Sequence, residues 1–484
     1  MKLERTTTGL IIHNPDNVVK RKVLQYFSLV NPLREYFIYS GNDRSKPPIF
    51  GLEHDVIYIS SGFLSMGDQF ISSLPRPSVI QPTTPQHITL EMNREPRSPL
   101  QEDCIRMLTN PNSTGGKTTV ELKPGTGKTF IATYAISKIQ LKPLIVAPTS
   151  LLKNQWCEEF EGVGVPRSDI ATDIYDGPNR KLCVVTISSI ENALREDWKG
   201  LMNVVSKAGY GIKVVDEAHL HLKGVLKFDA ICNIKHNWYL SATLGRSDVL
   251  EDSILNRALS DAARFVGDAR YEEYQHQYVN VYFQDIYYYP SNKLCNEYFR
   301  YGSKGLIKST YYNMLMNYYQ GKPLIDNIIY VAKCARSLID YGKMVIVIPL
   351  IEIIDHVVEA MNNDHFFDKY TIGSVDGTMP LKQKRSVLDG DIILSTMQSI
   401  GTGVDIPGLS ILVNFDAFKS AITAEQCVGR LRRRKDDKDC YYIDVCDHVR
   451  QAKTVTNWVH YRRNLLGYFP GVRPEMHQFP DIKK

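Results

Sequence analysis

An apolar run, Gly211-Ile212-Lys213-Val214-Val215, ends in two adjacent acids, Asp216-Glu217, followed by Ala218-His219. The run is short, β-branched and preceded by glycine, which predicts a buried strand. Upstream lies Gly125-Thr126-Gly127-Lys128-Thr129, a glycine-rich loop that leads into residues with helical periodicity. A strand, a tight loop and a helix in that order bring backbone N–H groups to one point and suit a phosphate. A strand that ends in paired acids supplies carboxylates for a divalent cation and for a water. Together the two stretches limit the chain to an open α/β sheet with its chemistry at the carboxyl ends of strands, and they imply nucleotide hydrolysis.

The pattern around them agrees. Residues 118–122, 143–147, 182–187, 213–215 and 238–241 read as strands, alternating with helical stretches at 129–139, near 155–160 and at 192–197. Such alternation predicts a mostly parallel sheet covered on both faces. A second series starts at 325, with strands at 344–348, 370–374, 391–394, 409–413 and 440–445 and helices at 352–361, 381–388 and 422–431. It has no phosphate loop. Two α/β halves with one cradle suggest a nucleotide held between them.

The organisation expected is a small α+β accessory domain over 1–85, an ATP-binding domain over 86–248, a tyrosine-rich connecting segment over 249–324, and a second α/β domain with a helical tail over 325–484. Within the first, residues 23–30 suggest a helix, and 36–39 and 56–59 suggest strands. Whether that module packs or contacts nucleic acid stays open. Pro75, Pro77, Pro82, Pro85, Pro96 and Pro99 predict an extended linker after it. The tyrosines of the connecting segment could stack on bases or form half-buried core.

Lys128 is expected to reach the β and γ phosphates and the Thr129 hydroxyl to ligate Mg²⁺, with Pro124, Gly125, Thr126 and Gly127 completing the cradle. Asp216 is expected to hold the same Mg²⁺ and Glu217 to activate the attacking water. Further on, Gln426-Cys427-Val428-Gly429-Arg430-Leu431-Arg432-Arg433-Arg434 puts Arg430 and Arg433 three apart, on one helical face. They can clamp a γ-phosphate; a basic helix lying on a nucleic-acid backbone is the other reading of the stretch.

These elements, in this order, resemble a superfamily 2 helicase of the DEAH-box-like DNA branch, which includes phage and viral branch-migration helicases. The resemblance covers about residues 97–445. Pro99-Leu100-Gln101 is similar to the adenine-reading element, with Gln101 as reader. Residues 122–129 resemble motif I, Ala147-Pro148-Thr149-Ser150-Leu151 motif Ia, and Asp216-Glu217-Ala218-His219 motif II. Ser241-Ala242-Thr243 resembles motif III, the stretch 401–407 motif V, and 426–433 motif VI, with Gln426 where many relatives carry His. The resemblance implies two RecA-like domains in tandem with ATP and Mg²⁺ between them. Gly403, Asp405, Arg430 and Arg433 would come from the second, and nucleic acid would be gripped through phosphates by Thr149, Thr186, Gly377, Thr378 and Thr396.

The leading expectation is therefore an ATP-dependent DNA helicase or translocase acting on single-stranded, forked or branched DNA in replication, recombination or repair. An RNA helicase or transcript-release factor is the alternative, and a restriction-type translocase subunit a further one. A net charge of +5 permits a nucleic-acid groove without demanding one. No apolar run reaches a membrane span and the first residues lack an apolar leader. Nine scattered cysteines without a Cys-x-x-Cys pair fit a reducing cytoplasm, that of the host if the protein is viral.

Overall fold

The computed structural model describes residues 2–14, 18, 38–40, 56–60, 76–110, 116–123, 125–242, 244, 249–267, 271, 279–302, 305–375, 379, 381–397, 399, 406–418, 424, 427–428, 431, 439–466 and 477–478. They group into two compact units, Met1–Tyr274 and Gln275–Lys484.

The first unit opens with β1 (Lys2–Arg5), β2 (Gly9–His13), β3 (Ile38–Ser40), β4 (Val56–Ser60) and β5 (Ser78–Val79), in a sheet of order β3-β4-β2-β1-β5. Its pairs are antiparallel except β1 with β5. The main sheet holds β6 (Lys117–Glu121), β7 (Pro143–Ala147), β8 (Ile170–Ala171), β9 (Leu182–Thr186), β10 (Ile212–Val215), β11 (His236–Ser241) and β12 (Ala263–Val266), in the order β12-β6-β11-β10-β7-β9-β8. Every pair is parallel. Helices α1 (Pro99–Thr109), α2 (Lys128–Ile139), α3 (Ser150–Gly162), α4 (Ile187–Lys207), α5 (Leu222–Ile231) and α6 (Val249–Ala258) connect these strands. Both faces are covered: along β7, Ile145 and Ala147 enter one core while Leu144 and Val146 enter the other, which is why that strand is apolar throughout. Helix α4 is longer than the sequence suggests and breaks at Asp197 (φ −150°, ψ 78°). The Asp197 carboxylate accepts from Gly200 N at 2.9 Å, so an Asx-type bond there competes with the helical ladder.

The N-terminal sheet is fastened to the end of α5 and the residues that follow it. Thr8 Oγ1 donates to Asp229 O at 2.8 Å at the end of α5, Thr6 Oγ1 to Cys232 O at 3.1 Å, and Thr7 N to Asn233 Oδ1 at 3.1 Å. At Gly9 an added Cβ would lie 2.6 Å from Ala230 O. Gly9→Ala is therefore expected to lower stability by about 1–3 kcal/mol and to expose the N-terminal sheet to protease first. Unchanged proteolysis and an unchanged urea midpoint would show that this contact is not what holds the sheet.

Two sequence expectations change here. The proline-rich stretch is extended but not a free linker. Ile80 N donates to Arg5 O at 2.8 Å, Gln86 N to Gly209 O at 2.8 Å and Ile88 N to Gln140 O at 3.0 Å, and Leu90 is buried. Prolines exclude helix, yet the residues between them keep their N–H groups and lie along the first unit as a strap. The tyrosine-rich segment is likewise not one connecting module. Its β12 pairs with β6, whereas β13 (Val279–Tyr288) pairs with β20 (Cys440–Val449) in the second unit. Tyr311 and Tyr312 are buried core, whereas Tyr287, Tyr289, Tyr301 and Tyr319 are exposed.

The second unit also has the hairpin β14 (Tyr301–Gly302) and β15 (Gly305–Leu306), strands β16 (Lys343–Val347), β17 (Ile372–Val375), β18 (Ile392–Ser395), β19 (Leu409–Asn414) and β21 (His477–Gln478), and helices α7 (Asn292–Tyr298), α8 (Lys308–Asn317), α9 (Lys322–Leu338), α10 (Ile351–Asn362), α11 (Leu381–Leu388) and α12 (Lys453–Leu466). Its main sheet runs β17-β18-β16-β19-β20-β13-β21, all parallel. The expected architecture of two parallel α/β sheets preceded by a small N-terminal domain is the one observed.

Candidate nucleotide site

Three neighbouring strands of the first sheet, β6, β11 and β10, place the cradle, Ser241 and Asp216 at their carboxyl ends. Gly125 (φ 86°) and Gly127 (φ 89°) take left-handed backbone, which glycine adopts without strain. A Cβ at Gly127 would also sit 2.8 Å from Gln101 Nε2 and would displace the amide that holds Thr126 O. Lys128 then starts α2, aiming that helix's positive end at the loop. Lys128 Nζ donates to Leu122 O at 3.1 Å and lies 3.8 Å from Glu217 Oε1. Gln101 is buried, donates to Thr126 O at 2.9 Å and accepts from Arg97 N at 2.8 Å. Its amide thus holds the cradle in shape.

Trp156 Nε1 donates to Asp216 Oδ2 at 2.9 Å, and Glu217 N donates to Asp216 Oδ1 at 3.0 Å. Burial pushes the Asp216 carboxyl up to about 6, the Glu217 charge adds to the rise, and the Trp156 bond and Lys128 oppose it. Glu217 has a left-handed backbone (φ 46°), which costs a residue with a side chain about 1–2 kcal/mol. Ala218 N to Leu240 O (3.0 Å) and Leu220 N to Glu217 O (2.8 Å) hold that turn. Glu217 Oε2 is buried, accepts no hydrogen bond and lies 3.4 Å from His219 Nδ1. His219 Nδ1 in turn meets Ser241 Oγ at 2.7 Å, so the strand ends of β10 and β11 share a buried polar contact. Two carboxylates, one destabilised as an anion and one with an oxygen lacking a hydrogen bond, suit a hydrated divalent cation. Thr129, in the first turn of α2, offers the accompanying hydroxyl.

Other candidates fall as follows. Thr149 and Thr186 are the N-caps of α3 and α4, accepting from Leu152 N and Ser189 N at 3.3 Å each. Thr396 follows β18 and meets Ser399 Oγ at 2.9 Å. All three stand at strand carboxyl ends beside backbone N–H groups, in keeping with phosphate contact but equally with capping. Pro124, Thr243, Gly377, Thr378, Gly403, Asp405, Gln426, Arg430 and Arg433 lie outside the described residues. Sequence reading placed Trp156 only as a helical residue. No spacing rule links an indole to a carboxylate sixty positions on, and only the sheet order brings them together.

Residues 95–246 match the family model for the type III restriction enzyme res subunit, and residues 327–435 that for the helicase conserved C-terminal domain. The chain is 24% identical over 332 residues to the transcript termination protein of Fowlpox virus (strain NVSL), covering 65% of this chain and 66% of that one. It is 25% identical over 379 residues to a protein of Acanthamoeba polyphaga mimivirus provisionally named an ATP-dependent RNA helicase, covering 73% and 66%. The chain thus spans just under two thirds of the length of these relatives. Among solved structures, S. cerevisiae Dbp5 bound to RNA and ADP BeF3 shares the fold, with a TM-score of 0.54 and 14% identity over 79% of this chain and 89% of that one. None of these names points to DNA repair, recombination or replication. No helix among the described residues is long and apolar enough to cross a membrane. With both family modules in tandem on two parallel α/β sheets, the chain belongs to the superfamily 2 helicases.

Proposed function

We propose that the chain hydrolyses ATP at the cradle and uses the cycle to move on nucleic acid, displacing or releasing RNA in transcription. The observation that carries the ATP assignment is the convergence of Lys128, Asp216 and Glu217 at the carboxyl ends of β6 and β10, which flank β11, with Glu217 Oε2 lacking a hydrogen bond. In this reading Gly125, Thr126, Gly127 and Lys128 bind the phosphates, Gln101 keeps the loop in register beside the base, and Thr129 and Asp216 hold Mg²⁺. The cation neutralises phosphate charge when bound. Glu217 orients the attacking water, and Arg430 and Arg433, together with Gln426, Gly403 and Asp405, are assigned to stabilising the charge that develops on the γ-phosphate. The His219–Ser241 contact couples the acids to the next strand. Thr149, Thr186 and Thr396, with Gly377 and Thr378, grip the nucleic-acid backbone.

Transcript release is favoured over branched-DNA remodelling because the relatives named above are a transcript termination protein and a protein provisionally named an RNA helicase. The test compares ATP turnover with single-stranded RNA, single-stranded DNA, forked DNA and a stalled transcription complex, and scores RNA release from the last. Release that needs ATP supports the proposal. Unwinding of forked DNA with no release of transcript would return the assignment to a DNA helicase. Glu217→Gln is expected to bind ATP normally and turn it over about a hundredfold more slowly. Near-normal turnover would remove Glu217 from the water-activating role.

A further inference from the structure

A second polar cluster lies in the other unit. Cys446 and His448, two apart on β20, share one face of the strand. His460 on α12 joins them, and the potential ligand atoms of all three lie within 4.8 Å of one another. It is the one cluster of its kind among the described residues. The His448 and His460 rings are 5.9 Å apart, and Tyr287 stacks on His448 at 4.5 Å.

Asp285 stands opposite Cys446 in the β13–β20 register, and its Oδ1 lies 3.1 Å from His448 Nε2. With Nε2 against that carboxylate, Nδ1 is the nitrogen that would ligate a cation, and a carboxylate on the distal nitrogen fixes ring orientation and raises the basicity of the other. The nearby Arg463 guanidinium is neutralised: its Nη1 lies 2.7 Å from Asp285 Oδ1 and its Nε 3.3 Å from Asp444 Oδ2. Tetrahedral zinc with ordinary Zn–S and Zn–N bonds separates its ligand atoms by about 3.5 Å. The cluster must therefore contract by about 1 Å, within reach of His460, whose side chain is on the exposed side of α12.

We propose that Cys446, His448 and His460 bind one zinc-class cation, with Asp285 as the positioning residue for His448. One thiolate and two imidazoles suit Zn²⁺ over Mg²⁺ or Ca²⁺, so this site and the oxygen-rich nucleotide site select different metals. The cation would clip α12 to β20, leaving a fourth position for water.

The test uses the full chain, stripped with a chelator and titrated with Co²⁺. One equivalent should give a thiolate-to-cobalt charge-transfer band and the intense visible bands of four-coordinate cobalt, both removed by Zn²⁺. Cys446→Ala should lose the charge-transfer band, and His460→Ala, on an exposed position, should weaken binding at least about tenfold. Asp285→Asn should weaken Zn²⁺ binding by about 10–100-fold while one equivalent still binds. Absence of the band in the parent chain, or its survival in Cys446→Ala, overturns the proposal. If Cys446→Ala does not fold, unchanged affinity in His460→Ala overturns it alone.

Discussion

Lys128→Ala is expected to lower ATP turnover about a thousandfold while the chain stays folded. A thousandfold is about 4 kcal/mol of transition-state stabilisation, the size found when one well-placed donor to a developing negative charge is removed. The structure says why the fold should survive. Among the described residues, Lys128 Nζ meets Leu122 O at 3.1 Å and Glu217 Oε1 at 3.8 Å. The first is a single hydrogen bond, worth about 1 kcal/mol net. The loop itself rests on the left-handed glycines and on Gln101, which binds Thr126 O. Phosphate release should therefore vanish with the circular dichroism spectrum and thermal midpoint nearly unchanged. Turnover within about tenfold of the parent would place hydrolysis elsewhere and remove the cradle from the mechanism. A loss of fold along with activity would show that Lys128 is structural, held between Leu122 O and the acids.

Much of that site is legible in the sequence alone. Gly125, Gly127 and Lys128 announce their backbone geometry, because left-handed φ and a helix start restrict the residue types that fit. Asp216 and Glu217 follow an apolar run whose length and branching suit a buried strand, and β10 is that strand. Partners brought together by sheet order were not legible. The Trp156–Asp216 bond joins α3 to β10, and the His219–Ser241 contact joins two strand ends. Parallel neighbours such as β6 and β11 are far apart in sequence, so their pairing leaves no local signal. The buried Lys213 shows the same limit. In sequence it interrupts an apolar strand, and only the fold pairs it with Asp229, itself bonded by Tyr239 OH at 2.8 Å. The strands of residues 2–13 escape the sequence reading because they are only four and five residues long, and the loop between them is also bonded to the end of α5 through Thr8. Cys446, His448 and His460 left no recognisable spacing, since the third comes from a helix after the strand.

Arg462 and Arg463 read in sequence as part of a tail helix, and in the structure they anchor it, which makes Asp444→Asn the substitution expected to harm the fold most. Asp444 is fully buried on β20. Its Oδ1 accepts from Arg462 Nε at 3.0 Å, Tyr442 OH at 3.2 Å and Asn414 Nδ2 at 3.2 Å, and its Oδ2 from Arg463 Nε at 3.3 Å. Arg462 has no exposed surface and lies over the Phe418 ring at 4.3 Å. A buried lysine can lose its proton when its partner goes, whereas a guanidinium cannot. Asparagine keeps one acceptor oxygen but no charge, so Arg462 would lose its carboxylate partner and Arg463 would keep only Asp285. Breaking a buried pair in this way costs about 3–5 kcal/mol, and for a unit of this size that lowers the thermal midpoint by roughly 10 °C. Scanning calorimetry of the full chain should show the drop in one transition, with Lys128→Ala as the control that leaves it in place. Asp444→Leu combined with Arg462→Met should recover part of the loss, because apolar groups of similar size can replace a buried pair. A midpoint within about a degree of the parent in Asp444→Asn would mean that the carbonyls of Asp416 and Phe418, 3.0 and 3.1 Å from Arg462 Nη1, hold the guanidinium without the acid.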